Sequence, residues 1–191
     1  MKFVGYVSCE GGPLIIGDAS IVRTWRGYVN DDVADDYKRV CAVFDNDPQY
    51  EGGPIEVGSG QVVTWEMQGA GTSFVYEAPG DGLIIVRPWV DDPDADDSVI
   101  EEAAQLPLTN RVALGDLEVA TGAILIMWAT MSGLSFSDAE LAVTGEPIGD
   151  LSMGETALVV TTPHKHFHLI HDYVEGPFGQ ARRCHLQVAH E

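Results

Sequence analysis

Most of the chain alternates between short apolar segments and turns rich in glycine and proline, a pattern that predicts β-strands. The clearest case is the segment 82–90. Residues Leu83 to Val86 are all apolar and Trp89 follows a proline, which predicts a strand buried on both faces for part of its length. A "GSG" turn predicts a hairpin over 54–67. We also predict strands at 2–8, 14–17, 37–44, 73–78, 111–114, 117–130, 139–145, 156–163, 165–174 and 182–190.

Two segments favour helices. Residues 91–106 begin with several aspartates, which the helix dipole favours at an N-terminus, and continue with apolar residues at helical spacing. Residues 18–27 predict a short helix or turn, with Asp18 or Ser20 as the N-cap and Gly27 as the terminator.

The predicted fold class is therefore mainly β (α+β), with two β-rich lobes of antiparallel strands and one or two short helices. The lobes span residues 1–106 and 107–191, and they either stand apart or pack as one continuous domain. The two halves are loosely similar, since each has a glycine hairpin leading to an apolar strand. This similarity is too slight to predict a repeat.

The composition is strongly acidic, with 30 Asp and Glu residues against 10 Lys and Arg and a formal net charge of −20 at pH 7. Nucleic acid and anionic membranes are poor partners for such a chain, because phosphate contacts require Lys and Arg. A basic protein partner fits the charge, and so does adaptation of the whole surface to a salty habitat. Charge alone does not separate these two interpretations.

Apolar segment lengths and cysteine usage bear on the cellular compartment. No apolar run approaches the roughly 18 residues of a transmembrane helix, and the N-terminal residues lack the apolar core and cleavage site of a signal peptide. Cys9, Cys41 and Cys184 are an odd number at unrelated spacings, which argues against a disulfide framework. We therefore expect a cytoplasmic protein.

Four of the six histidines lie in the stretch "HKHFHLIH" at 164–171, a composition typical of metal sites. On a strand, His164, His166 and His168 share one face and His171 falls on the other. Only the pair His166 and His168 is spaced to share one ion, and that ion would need a third ligand from elsewhere. The pair resembles half of a cupin-type site, but a solvent-facing strand is the more frequent interpretation. We predict no metal ligand.

Motifs of known reactions are missing from the sequence. There is no GxSxG elbow, and the glycine pairs at 58–60 and 69–71 do not lie between a strand and a helix, as a phosphate-binding loop requires. The aspartates at 91–97 lack the glycine and glutamate of an EF-hand. We predict that the protein is not an enzyme and has no cofactor.

Acidic side chains concentrate in two segments that are expected to be loops or helix ends, where binding surfaces tend to lie. Among the tryptophans, Trp25 is a candidate interface anchor, whereas Trp89 and Trp128 adjoin apolar strands and are expected in the core. The candidate partner-binding residues are Asp31, Asp32, Asp35, Asp36, Asp91, Asp92, Asp94, Asp96, Asp97 and Trp25.

Over roughly residues 5–90 the sequence resembles a bacterial family, immunity protein 21, whose members are found beside polymorphic toxins. The matching features are "CEGGPLII" (9–16), "WRG" (25–27), "DYKRVCAV" (36–43) and "GLIIVRPWV" (82–90), and "LGDLEVATGAILIMW" is a looser continuation. The resemblance implies a mostly β protein that binds and neutralises a toxin made by the same cell. It implies no catalytic residue.

Two function hypotheses from different classes follow. The leading one is a non-enzymatic immunity protein that occludes the active surface of a cognate toxin, with a basic nuclease as one such toxin. It binds neither nucleic acid nor a membrane. The alternative is a small cupin-like metalloprotein or metalloenzyme that uses His166 and His168. A weaker third hypothesis is a structural protein whose acidity reflects its habitat.

Overall fold

The computed structural model describes residues 1–29, 35–47, 49–66, 69–89, 97–150, 152, 154–176 and 179–189, with only the backbone for Asp97. Strands dominate these residues, as the alternating apolar pattern predicts. The strands are β1 (Lys2–Cys9), β2 (Leu14–Asp18), β3 (Gly52–Val57), β4 (Gly60–Trp65), β5 (Gly71–Ala78), β6 (Gly82–Trp89), β7 (Val112–Glu118), β8 (Ala123–Trp128), β9 (Pro147–Asp150), β10 (Glu155–Thr161), β11 (His166–Gly176) and β12 (Gly179–Val188). The helices are α1 (Ala19–Val22), α2 (Asp36–Asn46), α3 (Asp97–Gln105) and α4 (Asp138–Leu141), with a 3-10 turn at Gly133–Ser135.

The strands form two six-stranded antiparallel sheets. Sheet A has the order β1-β5-β6-β12-β11-β7, and sheet B has the order β3-β4-β2-β8-β10-β9. The prediction of a mainly β fold of antiparallel strands with short helices is confirmed. The described residues hold four short helices where one or two were predicted.

Each half of the chain contributes three adjacent strands to each sheet. Strands β1 to β6 come from the first half and β7 to β12 from the second, and the halves join along two seams, β6–β12 and β2–β8. In sheet A, the strands β1, β5 and β6 of the first half correspond to β7, β11 and β12 of the second. In sheet B, β3, β4 and β2 correspond to β9, β10 and β8. In both sheets the order of the second half mirrors that of the first across the seam. The topology therefore repeats within the chain, although the sequence is too diverged for the repeat to be predicted.

Apolar side chains alternate between the two faces of each sheet, as strand geometry requires. In β8, Ile124, Ile126 and Trp128 point into the core between the sheets, whereas Leu125 and Met127 pack on the outer face of sheet B. Helices α1 and α2 cover that outer face, and α3 covers the outer face of sheet A. The prediction that 82–90 is a strand buried on both faces is confirmed, since the first six residues of β6 are buried.

Helix α2 corrects the strand predicted at 37–44. Tyr37, Val40 and Phe44 lie at helical spacing and pack on the outer face of sheet B, with Val40 fully buried. Asp35 caps the helix by accepting a hydrogen bond from the backbone N–H of Lys38 at 3.1 Å. Tyrosine, valine and phenylalanine favour strands in isolation, so the cap and the packing override the local preference.

Helix α4 corrects the strand predicted at 139–145. Ser137 and Glu140 form a capping box, in which each side chain bonds the backbone N–H of the other. The helix is short and is followed by a turn, and β9, which was not predicted, begins at Pro147. None of the helices within the described ranges is long and apolar enough to cross a membrane.

A buried ion pair fixes α3 and the segment after it onto sheet A. Arg183 of β12 and Asp172 of β11 are both fully buried, and Arg183 donates to both oxygens of Asp172 at 2.8 and 2.5 Å. Arg183 also donates to the carbonyl oxygens of Ala103, Leu106 and Pro107 at 2.7–2.9 Å. It therefore satisfies carbonyl groups that the C-terminus of a helix leaves without partners.

The same carboxylate has an unusually low pKa. Burial alone raises the pKa of Asp172, but hydrogen bonds from His185, Arg183 and the backbone N–H of Thr109 hold it well below its ordinary value. Because the pKa is lower in the folded state, this stabilisation is fully present above the unfolded pKa of about 3.9 and is lost as the pH falls towards the folded pKa.

We predict that Asp172→Asn lowers the free energy of unfolding by about 3–5 kcal/mol, because it leaves the buried Arg183 without a counter-charge. Urea unfolding at pH 7 measures this change. The matched control is Asp138→Asn, which breaks the exposed pair with Arg23 and should leave stability nearly unchanged. Equal losses in the two variants would contradict the claim that the buried pair contributes more to stability than the exposed pair.

Candidate partner-binding surface

Asp35 and Asp36, two of the predicted partner-binding residues, use their carboxylates inside the protein. Asp35 is fully buried and accepts from the backbone N–H groups of Lys38 and Val29 at 3.1 and 2.9 Å. Asp36 accepts from the backbone N–H of Arg26 at 2.8 Å and from the side chain of Arg39 at 2.6 Å. Both carboxylates hold the start of α2 against the segment before it.

Most of the other predicted acidic positions fall outside the part of the chain that the structure describes. Asp31, Asp32, Asp91, Asp92, Asp94 and Asp96 lie outside the described residues. Asp97 begins α3, and only its backbone is described. Their part in partner binding stays a prediction.

Trp25, the predicted interface anchor, is in the core. Its side chain is 0% exposed, and its indole N–H donates to the carbonyl oxygen of Ala129 at 2.8 Å. The backbone of Trp25 also accepts from the N–H of Gly133 at 2.9 Å. The ring therefore joins the segment after β2 to the equivalent segment after β8, and it offers no surface to a partner. Trp128 is buried, as predicted, whereas Trp89 is half-buried.

A groove of about 1050 Å³ opens where β7 meets the β3–β4 turn and the start of β11. We call it the acidic groove, because its lining includes Asp18, Glu56, Asp116 and Glu118, and none of the described lining residues is Lys or Arg. The last three of these carboxylates are exposed.

Asp18 has a structural part at the groove. It is 1% exposed and accepts from the backbone N–H and hydroxyl groups of both Ser20 and Thr121 at 2.5–2.8 Å. Burial raises the pKa of Asp18, but these hydrogen bonds outweigh burial and lower it. Asp18 therefore stays ionised and is the N-cap of α1. It is one of the two residues predicted for this position.

His166 and His168 lie on the exposed face of β11 at the rim of the groove, and the predicted alternation of the histidines is confirmed in that His171 is buried on the opposite face. In the register with β7, His166 lies opposite Glu118 and His168 opposite Asp116. His168 Nδ1 is 2.6 Å from Asp116 Oδ1.

No group of three or more His, Cys, Asp and Glu side chains in the described residues is arranged to hold a metal ion. The third ligand that the metalloprotein hypothesis needs is therefore not identified among them. His164 lies just before β11, with its Nε2 atom 3.4 Å from Asp81 Oδ2. The histidine stretch therefore contributes His168, which is paired with Asp116, to the groove.

His171 has a different environment at the opposite face of β11. His171 Nδ1 lies 3.1 Å from the indole nitrogen of Trp65, which is a donor, and 3.2 Å from the carbonyl oxygen of Arg183, which is an acceptor. Nε2 is 3.6 Å from Glu51, whose carboxylate also binds Arg182 at 2.5 Å. Burial lowers the pKa of His171 and outweighs the opposing effect of Glu51. This network closes the interior between the sheets at β12.

The groove carboxylates Glu56, Asp116 and Glu118 were not among the predicted site residues. Asp116 and Glu118 alternate along β7 with the same period as His166 and His168 along β11. The alternation was visible in the sequence, but pairing the two strands requires a contact between residues about 50 positions apart. Only the fold supplies that contact.

Comparison with protein families gives a match over most of the chain. The model of immunity protein 21 matches residues 5–147, which is 143 of the 191 residues. The chain belongs to the immunity protein 21 family. The matched residues run from within β1 to the first residue of β9, and they include all the strands from β2 to β8. No curated protein and no solved structure matches the chain.

We predict that Trp25→Ala in this immunity protein lowers the free energy of unfolding by about 3–5 kcal/mol, because it leaves a large cavity and frees a buried carbonyl group. Urea unfolding measures the loss. Trp89→Ala is the matched control, and its half-buried ring should give a smaller loss. A Trp25→Ala variant of nearly unchanged stability would contradict the placement of Trp25 in the core.

Proposed function

We propose that this immunity protein binds and neutralises a cognate toxin by occluding a basic active surface of that toxin with the acidic groove. The observation that carries the proposal is the groove itself, with three exposed carboxylates, two histidines and no cation among the described lining residues. Family membership supports the immunity function. The groove suggests where the contact is made.

The electrostatics of the groove suit a cationic partner. Glu56, Asp116 and Glu118 come from two sheets and converge on one concavity, so their fields add over the same volume. The chain carries a formal net charge of −20, which speeds the approach of a basic protein from any direction. The groove then selects the docking site, because its three exposed carboxylates are gathered in one concavity.

Occlusion explains neutralisation without a reaction. A toxin that acts on nucleic acid needs Lys and Arg to approach phosphates, and an acidic protein that covers these side chains blocks that approach. We infer that the protein is not an enzyme and requires no cofactor. We also infer that it acts in the cytoplasm of the cell that makes the toxin, where such a toxin would otherwise reach its target.

Co-expression with the toxin encoded beside this gene tests the proposal. We predict that the wild-type protein restores growth and co-elutes with the toxin in gel filtration. The double variant Asp116→Lys and Glu118→Lys should weaken the complex by at least about 100-fold, because it places like charges against the partner at a cost of several kcal/mol. Calorimetric titration measures the change.

The matched control is Glu102→Lys, a charge reversal at an exposed position of α3 that does not line the groove. It should bind the toxin almost as well as the wild type. Failure of the wild type to restore growth or form a complex would overturn the immunity function. Protection by the wild type and the double variant alike would retain the function and reject the groove as the docking surface.

A further inference from the structure

A buried arginine without a counter-charge among the described residues lies near the end of β6. Arg87 is 2% exposed, and its Nε and Nη1 atoms have no hydrogen-bond partner within the described residues. Its third nitrogen, Nη2, donates to the carbonyl oxygen of Gly69 at 3.0 Å. Removing a guanidinium from water costs several kcal/mol unless its charge and N–H groups find partners. Only one of the three side-chain nitrogens of Arg87 donates a hydrogen bond to a described residue, and no described carboxylate pairs with its charge.

The neighbouring strand does not supply the missing counter-charge. Arg87 lies directly opposite Arg182 in the β6–β12 register, so two guanidinium groups share one face of sheet A. Arg182 is neutralised by Glu51 at 2.5 Å and also donates to the carbonyl of Glu66. The carboxylate of Glu51 is therefore already paired with Arg182. Glu51 offsets the charge of Arg182, so β12 places a second guanidinium beside Arg87 without supplying a counter-charge to it.

The thiol of Cys9 interacts electrostatically with Arg87, but it carries no compensating charge at neutral pH. It is 4% exposed, and burial raises the pKa of its thiol above the ordinary value, although Arg87 acts in the opposite direction. The thiol is therefore neutral at pH 7. Burial also lowers the pKa of Arg87, but a guanidinium remains protonated at every physiological pH.

The backbone around Arg87 is shaped for close approach. Gly71 has φ +139°, and a Cβ atom at that position would lie 2.5–2.7 Å from the guanidinium atoms of Arg87. Only glycine leaves room for the guanidinium against this strand. The turn at Gly11 packs on the same segment, since a Cβ there would lie 3.5 Å from the backbone of Gly69. Two glycine turns thus surround the unpaired donors.

A second buried donor without a partner lies beside the same turn. Trp128 is 8% exposed, and its indole N–H has no acceptor in the part of the chain that the structure describes. A Cβ on Gly12 would lie 3.7 Å from that nitrogen. Gly11 therefore borders Gly69, whose carbonyl oxygen Arg87 binds, and Gly12 borders the indole nitrogen of Trp128. Both unpartnered groups are donors, so the missing group is an acceptor.

We propose that Arg87 is the centre of an anion-binding site at the glycine turns 9–13 and 69–71, which takes a small oxyanion such as a carboxylate or phosphate group. Oxygen acceptors of this kind match the N–H groups of a guanidinium in charge and geometry. The site is separate from the acidic groove, since no residue named for it lines that groove. Its ligand chemistry is opposite in sign to that of the groove.

Thermal unfolding in a series of sodium formate and sodium phosphate concentrations tests the site, with sodium chloride used to keep the ionic strength constant. The wild-type Tm should rise by about 3–5 °C for each tenfold increase in the bound anion above its Kd. Arg87→Met should lose this rise. Arg23→Met, which removes an exposed arginine, should retain it and so controls for general salt effects.

Trp128→Phe supplies a second test in case Arg87→Met does not fold. It keeps an aromatic ring in the core but removes the indole donor, so the rise in Tm with formate should be smaller than in the wild type. A Tm that responds equally to formate, phosphate and chloride in the wild-type protein would overturn the site. Equal responses of wild type, Arg87→Met and Trp128→Phe would overturn it as well.

Discussion

The two antiparallel seams, β2–β8 and β6–β12, are the constraint on which the rest of the structure depends. Each seam joins three strands of the first half to three of the second, so neither sheet exists without both halves. The seam strands lie at the centre of their sheets and are covered on both faces, by the other sheet and by helices. The buried polar side chains of these strands therefore have no water to bind and must find partners within the protein.

Strand β12 shows how the seam meets this requirement. Arg182 and Arg183 are adjacent in sequence and point to opposite faces. Arg183 points outward and pairs with Asp172 beneath α3, whereas Arg182 points inward and pairs with Glu51. Each pairing ties a segment from the first half, α3 in one case and the start of β3 in the other, to a strand of the second half. Arg87, across the seam from Arg182, and Trp128 of β8 are positions where the same requirement is not fully met by the described residues.

Strand positions were predictable because the apolar pattern and the glycine turns act locally. The strand at 82–90 and the hairpin over 54–67 needed no tertiary information. Helix α2 was missed because Val40 and Phe44 favour strands by themselves, although their spacing with Tyr37 was helical and Asp35 is a good N-cap. In such a segment, periodicity and capping are better guides than the preferences of single residues.

The candidate site was less predictable than the fold because it depends on which strands pair. Clusters of acidic residues in the sequence drew attention to Asp35 and Asp36, yet both carboxylates bind backbone or side-chain donors within the protein. Charge density along the chain does not distinguish a carboxylate that caps a helix from one that faces a partner. The acidic groove forms only when β7 lies beside β11 and opposite the β3–β4 turn. Its exposed carboxylates and its two histidines come from three parts of the chain that are separated by about 50 positions each.

Hydrogen exchange of the protein, free and in complex with its cognate toxin, tests the central claim most directly, because it maps the contact without altering the protein. Docking in the acidic groove predicts that the toxin slows exchange at residues 56–61, 116–118 and 166–168, and leaves the amides of α3 unchanged. Slower exchange confined to α3 or to other surfaces, with no change at these three segments, would contradict the account.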